Sequence, residues 1–224
     1  MRILYDRLGI NVMLELSCMY SFAIESEIEC MRFTQELWNE YNGEEGHIII
    51  SDSGKKINIS KDVAVIVNPF AVSLNDKKIV NQLYKDLLKI VLEELPEQKN
   101  NLAKELINFF DKVVTKTPYP ITYDFDVDDI GLFKLYHVGF DDKSTSFIDK
   151  LVDYMKLCSS ICGIRLFFFI NLKSFISEQE YEMLYETIKY EEITIVNLSN
   201  RPDYIMNKEK CFLIDRDLCI IEMN

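Results

Sequence analysis

The stretch LFFFINLKSFISEQEYEMLYETIKYEEITIVNL, residues 166–198, decides the fold class. Its first part, Leu166–Ile170, is an uninterrupted apolar run, which is typical of a strand covered on both faces. Residues 177–180, Ser-Glu-Gln-Glu, form a capping box and predict a helix behind them. A second apolar run, Ile193–Leu198, follows that helix. A strand, a helix and another buried strand in this order indicate a parallel sheet with a crossover helix.

The first third of the chain and its end repeat this alternation. Apolar residues at helical spacing predict a helix over 28–41, and Asn42-Gly43 ends it. The run 63–67 reads as another strand buried on both faces. Further strands are predicted at 10–16, 19–24, 47–50, 57–59, 211–214 and 218–221. The last two, on either side of Asp215–Asp217, are expected to form a terminal hairpin.

The middle of the chain is helical. Apolar stripes run from Ile79 to Leu95 and from Leu102 to Val114, and Pro96 separates them, so an antiparallel helix pair is expected. Four lysines lie off the first stripe, at positions 77, 78, 85 and 89. A short helix closed by Gly139 and a longer one over 146–161 follow. We therefore predict an α/β head of residues 1–73 and 162–224 with a mostly parallel sheet. Residues 74–161 are predicted to be an inserted helical leg.

Composition limits the function. The chain has 224 residues, a formal charge of −12 and an isoelectric point near 4.7, which argues against coating nucleic acid by bulk charge. No apolar stretch approaches the roughly 20 residues that span a bilayer, and the N-terminal residues do not resemble a secretory signal. The 6 cysteines show no regular spacing, so reduced thiols in a cytoplasmic protein, away from any membrane, are expected.

Motifs for catalysis are missing. A phosphate-binding loop needs G-x-x-x-x-G-K-[ST]. The one Gly-Lys pair is Gly54-Lys55, but Ile49 stands at the first glycine position and Lys56 at the Ser/Thr position. Neither histidine, at 47 or 137, lies beside a nucleophile in an elbow sequence. The sheet is therefore expected to resemble the core of a P-loop NTPase without its phosphate loop.

An acidic cluster is the sharpest local feature. It consists of Asp124, Asp126, Asp128 and Asp129. Like charges this close need solvent or a cation, and calcium accepts such oxygen ligands flexibly. The pattern is not an EF-hand, because Asp129 occupies the glycine position and Leu135 the glutamate position. There are two alternative interpretations. The cluster is a solvated loop that caps the next helix, or it is the carboxylate-metal centre of a nuclease.

Several segments resemble the Csn-two family, the accessory protein of the CRISPR adaptation module in type II-A systems. Asp62–Leu88 is similar to the family's buried strand and the Asn-led helix that follows it. Asp124–Gly139 resembles its acidic loop, short helix and glycine stop. The strand at Leu166–Asn171, the helix after Ser177 and the stretch Ile193–Arg201 resemble its closing strand–helix–strand unit.

This resemblance implies a non-catalytic protein that assists spacer acquisition beside the CRISPR integrase proteins and the effector nuclease. It implies a homotetramer, in which four subunits form a ring whose basic lumen holds the end of double-stranded DNA. Calcium bound by acidic residues near the junction of head and leg stabilises that ring.

By position, the four aspartates of the cluster are the calcium candidates. The candidate DNA-binding lysines are Lys134, Lys143, Lys150 and Lys156, with Lys55 and Lys56 at a loop tip. Relatives carry a further glutamate where Leu132–Lys134 stands here. The competing hypotheses are a carboxylate-metal nuclease, a degenerate nucleotide-binding enzyme of an α/β fold, and an acidic scaffold without DNA affinity.

Overall fold

A computed structural model describes residues 1–124, 126, 128–144, 146–202, 204–205 and 209–223. Its strands are β1 (Arg2–Tyr5), β2 (Ile10–Met13), β3 (Met19–Ile24), β4 (Ile49–Asp52), β5 (Lys55–Lys56), β6 (Val63–Ile66), β7 (Leu166–Ile170), β8 (Thr194–Ser199), β9 (Glu209–Ile214) and β10 (Ile220–Met223). Its α-helices are α1 (Glu27–Tyr41), α2 (Ile59–Asp62), α3 (Lys77–Glu94), α4 (Pro96–Val114), α5 (Asp129–Leu135), α6 (Phe147–Cys162) and α7 (Glu178–Tyr190).

The larger sheet has the strand order β10-β9-β3-β8-β7-β6. Neighbouring strands from β9 to β6 are parallel, and β10 pairs with β9 in the antiparallel direction. The predicted α/β class with a mostly parallel sheet is therefore confirmed, as is the terminal hairpin. The capping box at Ser177 is also present, since its side chain accepts from the Glu180 amide and the Glu180 carboxylate accepts from the Ser177 amide.

Strand β7 is buried on both faces, as its sequence predicts. Phe168 belongs to a core that also contains Phe33 and Leu37 of α1 and Ile3 of the smaller sheet. Phe167 and Phe169 point to the opposite face because side chains alternate along a strand, and both are fully buried there. Parallel crossovers are right-handed, so the β3–β6 connection places α1 on one face and the β7–β8 connection places α7 on the other.

The smaller sheet contains the main surprises. Its order is β2-β1-β4-β5, and β1, which the sequence analysis did not predict, is a central strand. The predicted strand over 57–59 is wrong. Ile57 still donates its amide to the Ile50 carbonyl, but Ile59 begins the short helix α2. The Asp62 carboxylate accepts from the Asn58 amide and the Asp62 amide donates to the Asn58 carbonyl, which closes that turn.

The contacts divide the chain into two compact units. The first combines Met1–Leu74 with Asp142–Asn224, and the second is Asn75–Asp141. The boundaries predicted from the sequence are 73/74 and 161/162, so the difference is helix α6, which lies in the first unit. Leu151 and Met155 of α6 are fully buried and α6 contacts α7, which explains why this helix groups with the sheet.

The second unit contains α3, α4 and α5. Ile79 and Tyr84 of α3 are buried, and the Tyr84 ring lies 5.7 Å from that of Phe133 in α5. No residue of α4 is buried within this helix, which the structure describes in full, so the mutual burial expected of two facing stripes is not found. The helix pair itself is confirmed as two helices separated at Leu95.

A side chain fastens the two ends of the second unit together. The Asn75 amide group donates to the Phe140 carbonyl at 2.9 Å and accepts from the Phe140 amide at 2.7 Å. A Cβ at Gly139 would lie 2.5 Å from the Asn75 oxygen, so a glycine is needed for this approach. Helix α5 ends before that glycine, and His137, with a φ of 51°, makes the left-handed turn that was expected at Gly139.

Candidate metal and nucleic-acid sites

The acidic cluster begins beside helix α4. The Tyr123 hydroxyl donates to an Asp111 carboxylate oxygen at 2.6 Å, and its oxygen lies 3.3 Å from the Ile107 carbonyl. The Tyr123 ring also lies 5.3 Å from that of Phe110. The hydrogen bond to a carboxylate raises the pKa of Tyr123 to about 12, because ionising the phenol would place two negative charges together. These contacts fix where the acidic segment starts.

Asp129 already has a cationic partner. Its carboxylate forms an ion pair with the Lys99 ammonium of α4, 30 residues earlier in the chain. The two side chains are 11% and 29% exposed, so the pair is partly shielded from water. Sequence reasoning did not find Lys99, because nothing in the local pattern distinguishes it from the other lysines of this helix. One of the four candidate calcium ligands is therefore neutralised by the chain itself.

Asp128 lies over the first turn of α5. One of its carboxylate oxygens is 2.6 Å from the position that a Cβ would take at Gly131. Any larger side chain at 131 would displace this carboxylate, so Gly131 makes room for it. Asp128 is the residue before the helix, but its side chain makes no capping hydrogen bond. Its carboxylate is therefore not used to hold the helix end.

Three of the aspartates border one cavity of about 220 Å³. Its lining consists of Leu106, Ile107, Phe110, Tyr123, Asp124, Asp126, Asp128, Gly131, Leu132 and Leu135. Carboxylate oxygens are ligands of the kind that calcium prefers. Yet in the described part of the chain no three Asp, Glu, His or Cys side chains come close enough to hold one ion. The donor chemistry fits calcium, whereas the spacing within one chain does not form a complete site.

The candidate lysines are divided between the two units. In the first unit, the Lys150 ammonium lies 2.7 Å from an Asp142 carboxylate oxygen, and this hydrogen bond holds the pKa of Asp142 below its ordinary value. Lys143 and Lys156 are exposed. Lys150 and Lys156 both belong to α6, but six residues correspond to about 600°, which leaves them about 120° apart around the helix. They cannot face a ligand as a pair.

The two lysines at the loop tip are also exposed. Lys55 and Lys56 form the whole of β5, which pairs with β4 across a turn at Ser53-Gly54. Both turn residues have positive φ, 49° and 79°, as a tight hairpin turn requires. Adjacent residues of a strand point to opposite faces, so only one of the two lysines can approach a given surface. Lys134, in the second unit, is exposed near the end of α5.

The connection from β3 to α1 is where a P-loop protein holds phosphate, and here it is too short. Only Glu25 and Ser26 lie between the strand and the helix. The Ser26 hydroxyl accepts from the Glu29 amide, while Glu27 and Glu29 place carboxylates in the first turn. A helix N-terminus attracts anions, but here the Ser26 hydroxyl caps it, and the Glu29 carboxylate is held by Arg7 at 2.8 Å and Arg32 at 2.6 Å. The geometry disfavours phosphate at this point, in line with the missing motif.

These features define a class: an acidic α/β protein with a mostly parallel sheet, a helical insertion and no phosphate-binding loop. The chain belongs to the CRISPR-associated protein family (Cas_Csn2), the Csn-two family of the sequence analysis, whose family model matches residues 40–218. This confirms the resemblance seen in the sequence.

Among the solved structures that resemble the chain is one that matches it over most of its length. Its title is "Structure of cbiO1 from clostridium perfringens: Part of the ABC transporter complex cbiONQ". The two chains are 14% identical, with 92% of this chain and 76% of that one covered and a TM-score of 0.45. Similarity at this level supports no conclusion about activity. Within the described residues, no helix is long and apolar enough to cross a membrane.

Proposed function

We propose that the protein is a non-catalytic, ring-forming protein that binds the ends of double-stranded DNA in the cytoplasm. In this role it assists the acquisition of CRISPR spacers, beside the integrase proteins and the effector nuclease. The observation that carries the proposal is the family match over residues 40–218. The connection of only two residues between β3 and α1, which has no phosphate-loop motif, supports a role without nucleotide turnover.

Charge sets a physical condition on this proposal. Four chains carry a formal −48, four times the −12 of one chain, so duplex DNA would be repelled by the assembly as a whole. A closed ring can separate the two signs, with lysines toward its passage and carboxylates outside. Binding of this kind would contact phosphates rather than bases, so it would tolerate any sequence and weaken with salt.

The decisive experiment compares linear duplex with the same duplex covalently closed, in a mobility-shift assay over a salt series. A ring that accepts DNA from its end binds the linear form and leaves the closed form free. Equal binding of both forms would contradict end binding, and binding of neither would favour an acidic scaffold. Adding magnesium or manganese tests the carboxylate-metal nuclease in the same tubes, because a nuclease would shorten the linear duplex.

Calcium is a separate part of the proposal and has its own test. Asp124, Asp126 and Asp128 would supply oxygens toward the ion, whereas Asp129 is held by Lys99. When bound, the ion would neutralise carboxylates that otherwise repel one another. Light scattering with calcium or with a chelator should therefore report a larger assembly with calcium, and Asp126→Asn with Asp128→Asn should remove the difference. Glu93→Gln with Glu94→Gln, at the end of α3, removes the same two charges from the same unit; loss of the calcium effect with that control would contradict the assignment.

A further inference from the structure

Three lysines of α3 lie on one side of the helix, away from its buried residues. Successive residues of an α-helix are rotated by about 100°, which places Lys78, Lys85 and Lys89 within an arc of about 40°. The buried residues Ile79 and Tyr84 lie outside that arc. At about 1.5 Å per residue, the three lysines extend over roughly 16 Å of the helix. We call these three residues the α3 basic face.

Two of these lysines carry uncompensated charge. Within the described residues, no carboxylate lies within ion-pair distance of Lys85 or Lys89, and both side chains are exposed. The nearby Asp86 carboxylate instead accepts from the Gln82 amide group at 3.0 Å. This contrasts with Lys99 and Lys150, whose charges are already matched by aspartates. What distinguishes Lys85 and Lys89 among the described residues is that two exposed, unpaired cations lie one turn apart on the same side of one helix, in a chain with 37 acidic residues.

We infer that the α3 basic face contacts the phosphate backbone of duplex DNA. The inference rests on the proposed function and names the surface that would perform it. The occupant follows from charge complementarity: the face is cationic, extended and without an aromatic side chain for base stacking, so it suits a row of phosphates. Phosphates attract lysine as a point charge without reading base sequence. In the sequence alone, these lysines are recognisable only as residues off the apolar stripe.

The effect of the two free lysines can be stated as a salt dependence. Each phosphate contact to duplex DNA contributes about 0.9 to the slope of log affinity against log salt. Lys85→Gln with Lys89→Gln should therefore lower the magnitude of that slope by about 2. Relative to 1 M salt, where such contacts are screened, the two contacts correspond to roughly a 60-fold loss of affinity at 0.1 M salt.

The test uses the full chain, linear duplex and a salt series. Lys104→Gln with Lys112→Gln on α4 is the matched control, because it removes the same charge from the same unit. Lys85→Arg with Lys89→Arg should keep the wild-type slope if charge alone acts, and circular dichroism shows whether each variant is folded. Equal slopes for the α3 and α4 variants would overturn the α3 assignment while leaving duplex binding intact. A wild-type chain that binds no duplex would overturn the proposed function and this inference with it.

Discussion

A buried ion pair in the first unit offers the sharpest test of the packing. The Lys173 ammonium lies 2.6 Å from a Glu209 carboxylate oxygen, and both side chains are 1% exposed. Lys173 also donates to the Tyr204 carbonyl at 2.8 Å and lies 4.9 Å from the ring centres of Tyr181 and Tyr204. The other Glu209 oxygen accepts from the Tyr181 hydroxyl at 2.8 Å. These contacts hold both charges inside the protein.

Replacing Lys173 with Met should destabilise the fold strongly, because it leaves the Glu209 charge buried without its cation. Breaking a buried pair in this way costs about 3–5 kcal/mol. For a chain of this length that corresponds to a fall in Tm of roughly 6–20 °C. The measurement is urea unfolding followed by circular dichroism, with a thermal melt as the second readout.

Two further variants separate charge from packing. Lys173→Met with Glu209→Gln removes the unpaired charge but keeps an acceptor for Tyr181, so it should recover much of the lost free energy of unfolding. Lys210→Met breaks an exposed pair with Glu15 and should change the midpoint little, because exposed pairs are screened by water. The reasoning is refuted if Lys173→Met lowers stability no more than Lys210→Met does.

Three smaller predictions concern other contacts. The pKa of Tyr123 is raised from 10.0 to about 12 by its hydrogen bond to Asp111. The stability that this bond contributes is fully present below about pH 10 and is lost as the pH rises through about 12. Asp111→Asn should therefore lower the titration midpoint of one tyrosine, measured by phenolate absorbance. An unchanged titration would contradict the hydrogen bond. Phe168→Ala should cost about 3–5 kcal/mol in urea unfolding, because the ring is fully buried in the sheet, and a cost below about 1 kcal/mol would contradict that placement. Asn75→Ala should speed hydrogen exchange at the Phe140 amide, which loses its acceptor, while exchange at the wild-type rate would show that this bond is not protective.

The local patterns of the chain predicted most of its strands and helices, but they missed strand β1 and gave a false strand at 57–59. Runs such as Val63–Ile66 identify buried strands because both faces need apolar side chains. Strand β1 was not predicted because its four residues, Arg-Ile-Leu-Tyr, are too few and too mixed in polarity to show a period of two. The false strand at Ile57–Ile59 has the right alternation, but the bond between the Asn58 amide and the Asp62 carboxylate favours a turn there.

The candidate site was predictable only as a set of residue types. Four aspartates close in sequence are visible to any reader of the chain, as is the lack of a phosphate loop. The pairing of Asp129 with Lys99 was not visible, and neither was the pairing of Lys150 with Asp142. Both pairings change which charges are available to a ligand.

The sequence by itself determined the alternation of strands and helices, because apolar residues recur every 2 residues in a strand and every 3.6 in a helix. It also determined the acidity of the chain and the absence of a phosphate-binding motif. The tertiary structure alone decided which charges are paired and which remain free, as with Lys99 and Lys89. The physical reason is that an ion pair depends on the approach of segments far apart in the chain, which no local period specifies.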